Sequence, residues 1–155
     1  MIKWHTLYAF STLIILLLGG CADSEKADIP ENFRETYIKL HDCKVSAHPE
    51  SAYVVTWLSP NALPIWEAWG EGNNDVEFEL GTTSVKAQYN DESCNALDSY
   101  TIMTKTSIEP DALDGGWKWG YANQDFECIN CDSGNGCAQC HGGCNSGPTL
   151  FCTSP

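Results

Sequence analysis

The pattern Cys137-Ala138-Gln139-Cys140-His141 restricts the fold of this chain more than any other part of its sequence. C-x-x-C-H is the attachment site of a c-type haem. Two thiols at this spacing can each add to a haem vinyl group, and the histidine after the second thiol can bind the iron. The pattern therefore predicts haem c as the cofactor, with Cys137 and Cys140 as its covalent anchors and His141 as the iron ligand.

Two other interpretations of these cysteines stay open. Cys128 and Cys131 precede the pattern, so the chain contains CxxC-x5-CxxC, which could surround a tetrahedral zinc ion. The two pairs are closer together than in common zinc ribbons, and exported thiols are oxidised to disulfides. Both observations weigh against zinc. A cluster of disulfides without haem is the third interpretation.

The first residues have the organisation of an export signal. One lysine and one histidine precede the apolar run 13–18, and two glycines and Cys21 follow it. A run of this length is too short to span a bilayer and is typical of a cleaved signal peptide. We therefore expect residues 1–20 to be removed and the rest of the chain to fold outside the cytoplasm.

Cys21 is the predicted lipidation site. Leu18-Gly19-Gly20-Cys21 resembles a bacterial lipobox, in which the cysteine receives a diacylglyceryl group and becomes the new N-terminus. Acyl chains anchor a protein stably, since each buried methylene adds about 0.8 kcal/mol. This predicts a lipoprotein of the bacterial cell envelope, facing the periplasm or the surface, with residues 21–29 as its tether. An ordinary cleaved signal is the alternative.

Residues 30–155 are long enough for a single domain with a modest core. The whole chain has a net charge of −13, and removal of residues 1–20 takes away one lysine and no acid, so the mature charge is −14. Such an excess of negative charge repels nucleic acid, which we do not expect as a partner. It suits a basic redox partner protein or, more simply, a soluble surface.

The nine cysteines indicate an oxidising compartment. Without Cys21 and the two cysteines of the haem motif, six remain for three disulfides: Cys43, Cys94, Cys128, Cys131, Cys144 and Cys152. Without haem, eight cysteines could form four disulfides, so an even count does not discriminate between the interpretations. Six cysteines allow 15 pairings, and the sequence alone does not choose among them.

The periodicity of apolar residues predicts an α+β fold, mainly an antiparallel β-sheet with a few short helices. Two segments have a helical pattern, 28–40 and 61–70. Five segments alternate as strands do, or are rich in β-formers: 53–58, 76–80, 84–89, 100–105 and 117–121. From Cys128 onward the chain is mostly Gly, Cys, Asn and Ser, so disulfides or haem must order it.

The position of the motif near the C-terminus narrows the class of haem protein. Only 14 residues follow His141, and they contain neither Met nor His. Met103, His41 and His48 are the upstream candidates for a second axial ligand. We expect Met103 to face the core or the haem edge and both histidines to lie on the surface. The sixth position of the iron would then be open to a small ligand.

These residues resemble the cytochrome P-460 and cytochrome c-prime-beta family over roughly residues 41–144. The segments that carry the resemblance occur in the same order: Tyr53-Val54-Val55, Ser59-Pro60-Asn61-Ala62, Gly81-Thr82-Thr83-Ser84-Val85-Lys86, Tyr100-Thr101-Ile102-Met103-Thr104-Lys105, Gly116-Trp117-Lys118-Trp119 and Cys137-x-x-Cys140-His141. The resemblance implies a mainly antiparallel β fold, a homodimer and a five-coordinate haem c. It also implies a small nitrogenous ligand or substrate, since P-460 members oxidise hydroxylamine and c-prime-beta members bind nitric oxide or similar gases.

The resemblance further implies a lysine joined covalently to the porphyrin if the chain is of the P-460 type. Lys86 is the candidate for this catalytic role and Lys105 is second, whereas an ordinary solvated strand lysine is the alternative. Ala87 follows Lys86 where an acidic residue is common in the family. The six additional cysteines and the lipobox are further departures.

A hydroxylamine-oxidising enzyme would need a carboxylate near the haem, because N–H protons must leave as electrons enter the iron. Six acidic residues are candidates: Glu77, Glu79, Glu92, Glu109, Asp111 and Asp114. An apolar lining would instead favour gas binding, and five residues could provide it or could simply form the core: Trp57, Phe78, Met103, Trp117 and Trp119. Alternatives to this family are an electron-transfer cytochrome and a haem-free, disulfide-stapled surface lipoprotein.

Overall fold

A seven-stranded antiparallel sheet forms the centre of the protein. The computed structural model describes residues 25–46, 53–109, 112–131, 135–144, 148 and 151–152. The strands are β1 (Ile38–Lys39), β2 (Lys44–Val45), β3 (Tyr53–Leu58), β4 (Thr83–Tyr89), β5 (Leu97–Lys105), β6 (Trp117–Ala122) and β7 (Cys128–Asn130). Their order is β1-β3-β4-β5-β6-β7, and β2 also pairs with β3. The predicted fold class is therefore confirmed.

Three short helices accompany the sheet in the described ranges. They are α1 (Phe33–Thr36), α2 (Leu63–Gly70) and α3 (Asn135–His141), and two 3₁₀ turns, Pro60–Ala62 and Leu113–Gly116, precede α2 and β6. Pro64 lies at the start of α2, where the missing N–H has no helical partner to lose. None of the helices in the described ranges is long and apolar enough to cross a membrane.

Two predicted elements differ in the structure. The helix expected over 28–40 is a single turn, Phe33–Thr36, because Tyr37 turns to an extended conformation and Ile38–Lys39 then pairs with β3. The alternating segment 76–80 is not a strand; its Phe78 is buried in the core while both neighbouring residues are exposed. The helical pattern correctly marked Phe33 as buried, whereas the alternating pattern was correct for Phe78 and wrong for Leu80, which is exposed.

Other elements were not predicted or extend further than expected. The short strands β1, β2 and β7 and the helix α3 have no clear apolar period, and pairing or disulfides supply their order instead. Lys26 forms an isolated bridge with Glu127, and Ala27 is buried. The sheet thus reaches into the segment that the sequence assigned to the tether.

Successive side chains along each strand point to opposite faces of the sheet, and both faces are covered. On the first face, Trp57 and Tyr100 pack around Phe33 of α1, with ring centroids 5.4 and 5.8 Å away. On the second face, Met103 and Trp119 belong to a separate apolar cluster with α2 and Phe151. A sheet covered on both faces buries polar strand residues as well, and this decides the environment of the candidate site.

Three disulfides join the six cysteines that the haem interpretation set aside for them. The bonds are Cys43–Cys94, Cys128–Cys131 and Cys144–Cys152. The last of these ties the chain just after α3 to the neighbour of Phe151, which is buried in the second-face cluster. The C-terminal end of α3 is therefore held to the core by a covalent bond and by an aromatic anchor.

Lys105 is a buried cation at one end of the second face. Only 3% of it is exposed, and its Nζ lies 2.7 Å from Glu77 Oε1 and donates to the Gly115 carbonyl at 2.9 Å. The same Nζ lies 5.3 Å from the centre of the Trp117 ring. A buried ammonium needs such partners, since removing one of them leaves an uncompensated charge.

Replacing Glu77 with Gln should lower the free energy of unfolding by about 1–3 kcal/mol, because Lys105 loses its only described carboxylate partner. Chemical denaturation of the variant measures this. Glu79→Gln is the matched control, because Glu79 is exposed and no side-chain bond is recorded for it among the described residues. Equal stability of the two variants would contradict a stabilising role for the ion pair.

Candidate functional site

Helix α3 carries the whole haem-type motif. Cys137, Cys140 and His141 lie three and four residues apart, so a helix places them on one side. Cys137 and Cys140 are exposed and are not joined in a disulfide, unlike the six cysteines above. The structure therefore brings the three predicted site residues together on one helix and leaves both thiols exposed.

The His141 imidazole packs against β6. Its ring centre lies 4.6 Å from that of Trp119, with the planes 73° apart. Trp119 is buried on the second face, and Ala138 of α3 packs against the same apolar cluster. The second face of the sheet is therefore the surface on which the candidate site is built.

A metal ion without haem is a poor fit to these residues. His141 and the sulfurs of Cys144 and Cys152 have ligand atoms within 4.8 Å of one another. Those two sulfurs are bonded to each other, and Cys128 and Cys131 are also joined, so none of the four offers the thiolate that zinc requires. The structure thus argues against the CxxC-x5-CxxC zinc interpretation.

Lys86 lies on the second face of β4. It is half-buried, directly opposite Thr56 of β3 and Thr101 of β5. Trp119 pairs with Met103, and Met103 pairs with Ser84, two residues before Lys86. Lys86 is therefore about 10 Å across the strands and about 7 Å along them from Trp119. Burial, followed by the nearby charge of Lys44, lowers the pKa of Lys86.

Lys105 and Lys86 differ in their surroundings although both lie on the second face. Lys105 is already bound by Glu77 and Gly115, as described above. The prediction of an ordinary solvated lysine describes neither residue, because Lys86 is half-buried and Lys105 is almost wholly buried.

His41, which was predicted to lie on the surface, is half-buried there. Its Nδ1 is 2.7 Å from the Asp42 carbonyl, so this nitrogen donates, and its Nε2 is 3.0 Å from Thr56 Oγ1. Burial is the main reason that the pKa of His41 is lowered; the neighbouring lysines lower it further, and the hydrogen bond to the Asp42 carbonyl opposes them. His48 lies outside the described residues.

The five residues predicted to line an apolar pocket are divided between the two faces of the sheet. Phe78, Met103, Trp117 and Trp119 share the second-face cluster, whereas Trp57 packs on the first face, so a common lining of all five is wrong. Met103 is buried, as predicted. Among the acidic candidates, Glu77 is engaged by Lys105, and Asp111 lies outside the described residues.

Two buried polar groups on the second face lack hydrogen-bond partners among the described residues. They are the indole Nε1 of Trp119 and the side-chain amide of Gln88. Buried polar atoms are nearly always paired, so such exceptions point to a missing non-protein partner or water. Exposed thiols, an adjacent imidazole and unsatisfied donors on the facing sheet together fit the attachment of a c-type haem.

Sequence reasoning missed Gln88 and Thr56. Both stand at the polar positions of alternating strands, which are usually solvent-exposed in an antiparallel sheet. The polar run Ser84, Lys86 and Gln88, with Thr56 opposite Lys86, would have been a usable signal only if the second face had been known to be covered.

Comparison with known proteins does not assign a function, so the residues described above are the basis for a proposal. No protein-family model matches the chain, and no curated protein matches it.

Proposed function

We propose that this protein is an exported c-type haem protein that binds or oxidises small nitrogen species such as nitric oxide or hydroxylamine. The observation that carries the proposal is the geometry of α3, which presents Cys137 and Cys140 as exposed thiols beside His141 while three disulfides use the remaining described cysteines. A thiol pair kept out of disulfides in a cysteine-rich chain is what covalent haem attachment requires.

Each residue of the site has a distinct part in this proposal. Cys137 and Cys140 hold the porphyrin, and His141 binds the iron, which supplies the ligand-binding and redox chemistry. The Trp119 ring, packed nearly perpendicular to His141, restricts rotation of the His141 ring. The Cys144–Cys152 bond and the buried Phe151 hold the C-terminal end of α3 in place.

An open sixth coordination position is part of the proposal. The second face near Trp119 is apolar, and such surroundings favour small uncharged ligands over water or a charged side chain. Met103 is the upstream methionine that could instead close the sixth position. That arrangement would make the protein an electron-transfer cytochrome.

The proposed location is the bacterial cell envelope. Export would expose the chain to the oxidising conditions that the three disulfides need, and acylation of Cys21 would keep it at a membrane. The intact mass of the mature protein tests removal of residues 1–20, acylation, haem attachment and disulfide formation in one measurement.

A pyridine haemochrome assay on protein matured in the periplasm tests the central proposal. A c-type haemochrome is the expected result, and its absence would favour the disulfide-stapled lipoprotein. The ferric spectrum of the loaded protein then tests the open site: we expect a high-spin iron, whereas a low-spin iron would assign Met103 or a histidine as a second ligand.

The Soret band separates the two branches of the family. A strongly red-shifted band that Lys86→Ala removes would assign the P-460 type, with a lysine bonded to the porphyrin. A normal band would assign the c-prime-beta type, in which Lys86 remains an amine. Lys86 is the lysine to replace first, since Lys105 is engaged by Glu77 and Gly115.

A further inference from the structure

Lys86 and Gln88 form a pair of hydrogen-bond donors on the second face. They are two residues apart on β4, so their side chains leave the strand on the same side. Gln88 is fully buried, with 0% of its surface exposed, and neither its Nε2 nor its Oε1 has a hydrogen-bond partner in the described part of the chain. Leaving such an amide unsatisfied is costly, so its retention calls for a partner.

The charge of Lys86 also lacks a counter-ion. Within the described ranges the ion pairs join Lys39 to Asp42 and Lys105 to Glu77, and Lys86 takes part in neither. The nearby charges that act on it come from Lys44 and, when protonated, His41. In a chain with a net charge of −13, this is a local concentration of positive charge at a half-buried position.

We propose that Lys86 and Gln88 together bind a carboxylate or a similarly compact oxyanion on the second face of the sheet. An ammonium and an amide NH₂ are both donors, and a carboxylate accepts from two donors at once. The anion can come from two sources. One is a carboxylate substituent of the porphyrin, and this case rests on the proposed function. The other is a free anion such as nitrite, and this case does not depend on haem.

The first experiment uses the full chain without haem, with its fold verified by circular dichroism, in buffer without carboxylates or nitrite. Gln88→Met and Lys86→Met should each raise the midpoint of thermal unfolding, because each removes an uncompensated polar group from the covered face. Gln124→Met and Lys118→Met are matched controls at exposed positions and should change the midpoint much less, since interactions of exposed side chains contribute little. Lower midpoints for both second-face variants would show that these groups already have protein partners and would overturn the proposal.

The second experiment identifies the source of the anion. Sodium nitrite and sodium acetate are titrated into the haem-free protein, with the unfolding midpoint as the readout. If a free anion is the ligand, the midpoint of the wild type should rise, and Lys86→Met and Gln88→Met should each weaken binding about tenfold or more while both controls bind normally.

If the porphyrin supplies the carboxylate, the free anions should not change the unfolding midpoint of the haem-free protein. The effects of the substitutions should then appear in the haem-loaded protein. Lys86→Met should then lower the haem reduction potential, because a nearby cation stabilises the reduced iron, and Gln88→Met should lower the unfolding midpoint instead of raising it. Lys118→Met again serves as the control.

Two results would overturn the anion site and leave the haem proposal standing. One is a loaded protein in which the second-face variants behave like their controls while the free anions also have no effect. The other is a red-shifted Soret band that depends on Lys86, because a lysine bonded to the porphyrin carries no ammonium. Absence of haem, by contrast, would overturn the proposed function. The titrations with free anions would then test the anion site by themselves.

Discussion

Replacing Cys137 and Cys140 together with alanine should abolish covalent haem attachment, so that no haem stays with the protein after denaturation and solvent extraction. Both side chains are exposed on α3, and neither is part of a disulfide. The substitution therefore removes the tether while the sheet and its two covered faces should remain folded. Haem stain on a denaturing gel and the pyridine haemochrome measure the loss, and circular dichroism verifies the fold.

The chain contains its own matched control for this experiment. Cys128 and Cys131 have the same spacing, but they form a disulfide and no histidine follows them. Their replacement with alanine should leave covalent haem in place, although the protein loses a bond at the end of β7. If the second double variant loses haem and the first retains it, the assignment of the site to α3 is wrong.

Replacing Phe151 with alanine should lower the free energy of unfolding by about 3–5 kcal/mol, as is usual when a buried phenylalanine is truncated. Only 2% of Phe151 is exposed. Its ring centre lies 4.9 Å from Phe78 and 6.1 Å from Trp117, and two tryptophans of α2 lie slightly further away. The cavity left behind would separate the C-terminal segment from the core, and chemical denaturation measures the resulting loss of stability.

Leu113→Ala is the control for this prediction, because Leu113 is 82% exposed and should change stability by no more than about 0.5 kcal/mol. A second effect should accompany the loss of stability. Phe151 adjoins the Cys144–Cys152 bond that restrains the end of α3, so a loosened His141 should broaden the ferric spectrum of loaded protein. A Phe151→Ala variant as stable as Leu113→Ala would contradict the anchoring role of the C-terminal segment.

Much of the sheet could be predicted from local sequence because β4, β5 and β6 alternate along the strand and β3 is rich in β-formers. The period of two follows from backbone geometry and needs no information about distant partners. The same reasoning failed for residues 76–80, where Val76, Phe78 and Leu80 alternate with glutamates but no strand forms and only Phe78 is buried. It also failed for Ile38–Lys39, since pairing with β3 is a long-range event that overrides a helical pattern.

For the disulfides, the sequence predicted which cysteines take part but not how they pair. The set of six cysteines followed from setting aside Cys21 and the haem motif, but their pairing did not. Cys43 and Cys94 are 51 residues apart, and only the fold brings the segments before β2 and β5 together. Cys128–Cys131 and Cys144–Cys152 are local, yet other pairings were equally compatible with the spacing.

By itself, the sequence determined the residues of the candidate site and their order, because Cys137, Cys140 and His141 are contiguous and one turn of helix suffices to align them. Only the tertiary structure decided what faces them. Covering both sides of the sheet turned the polar positions of β4 into a half-buried lysine and a buried, unsatisfied amide. Exposure of a strand residue depends on what packs above it, and that information is distributed over the whole chain.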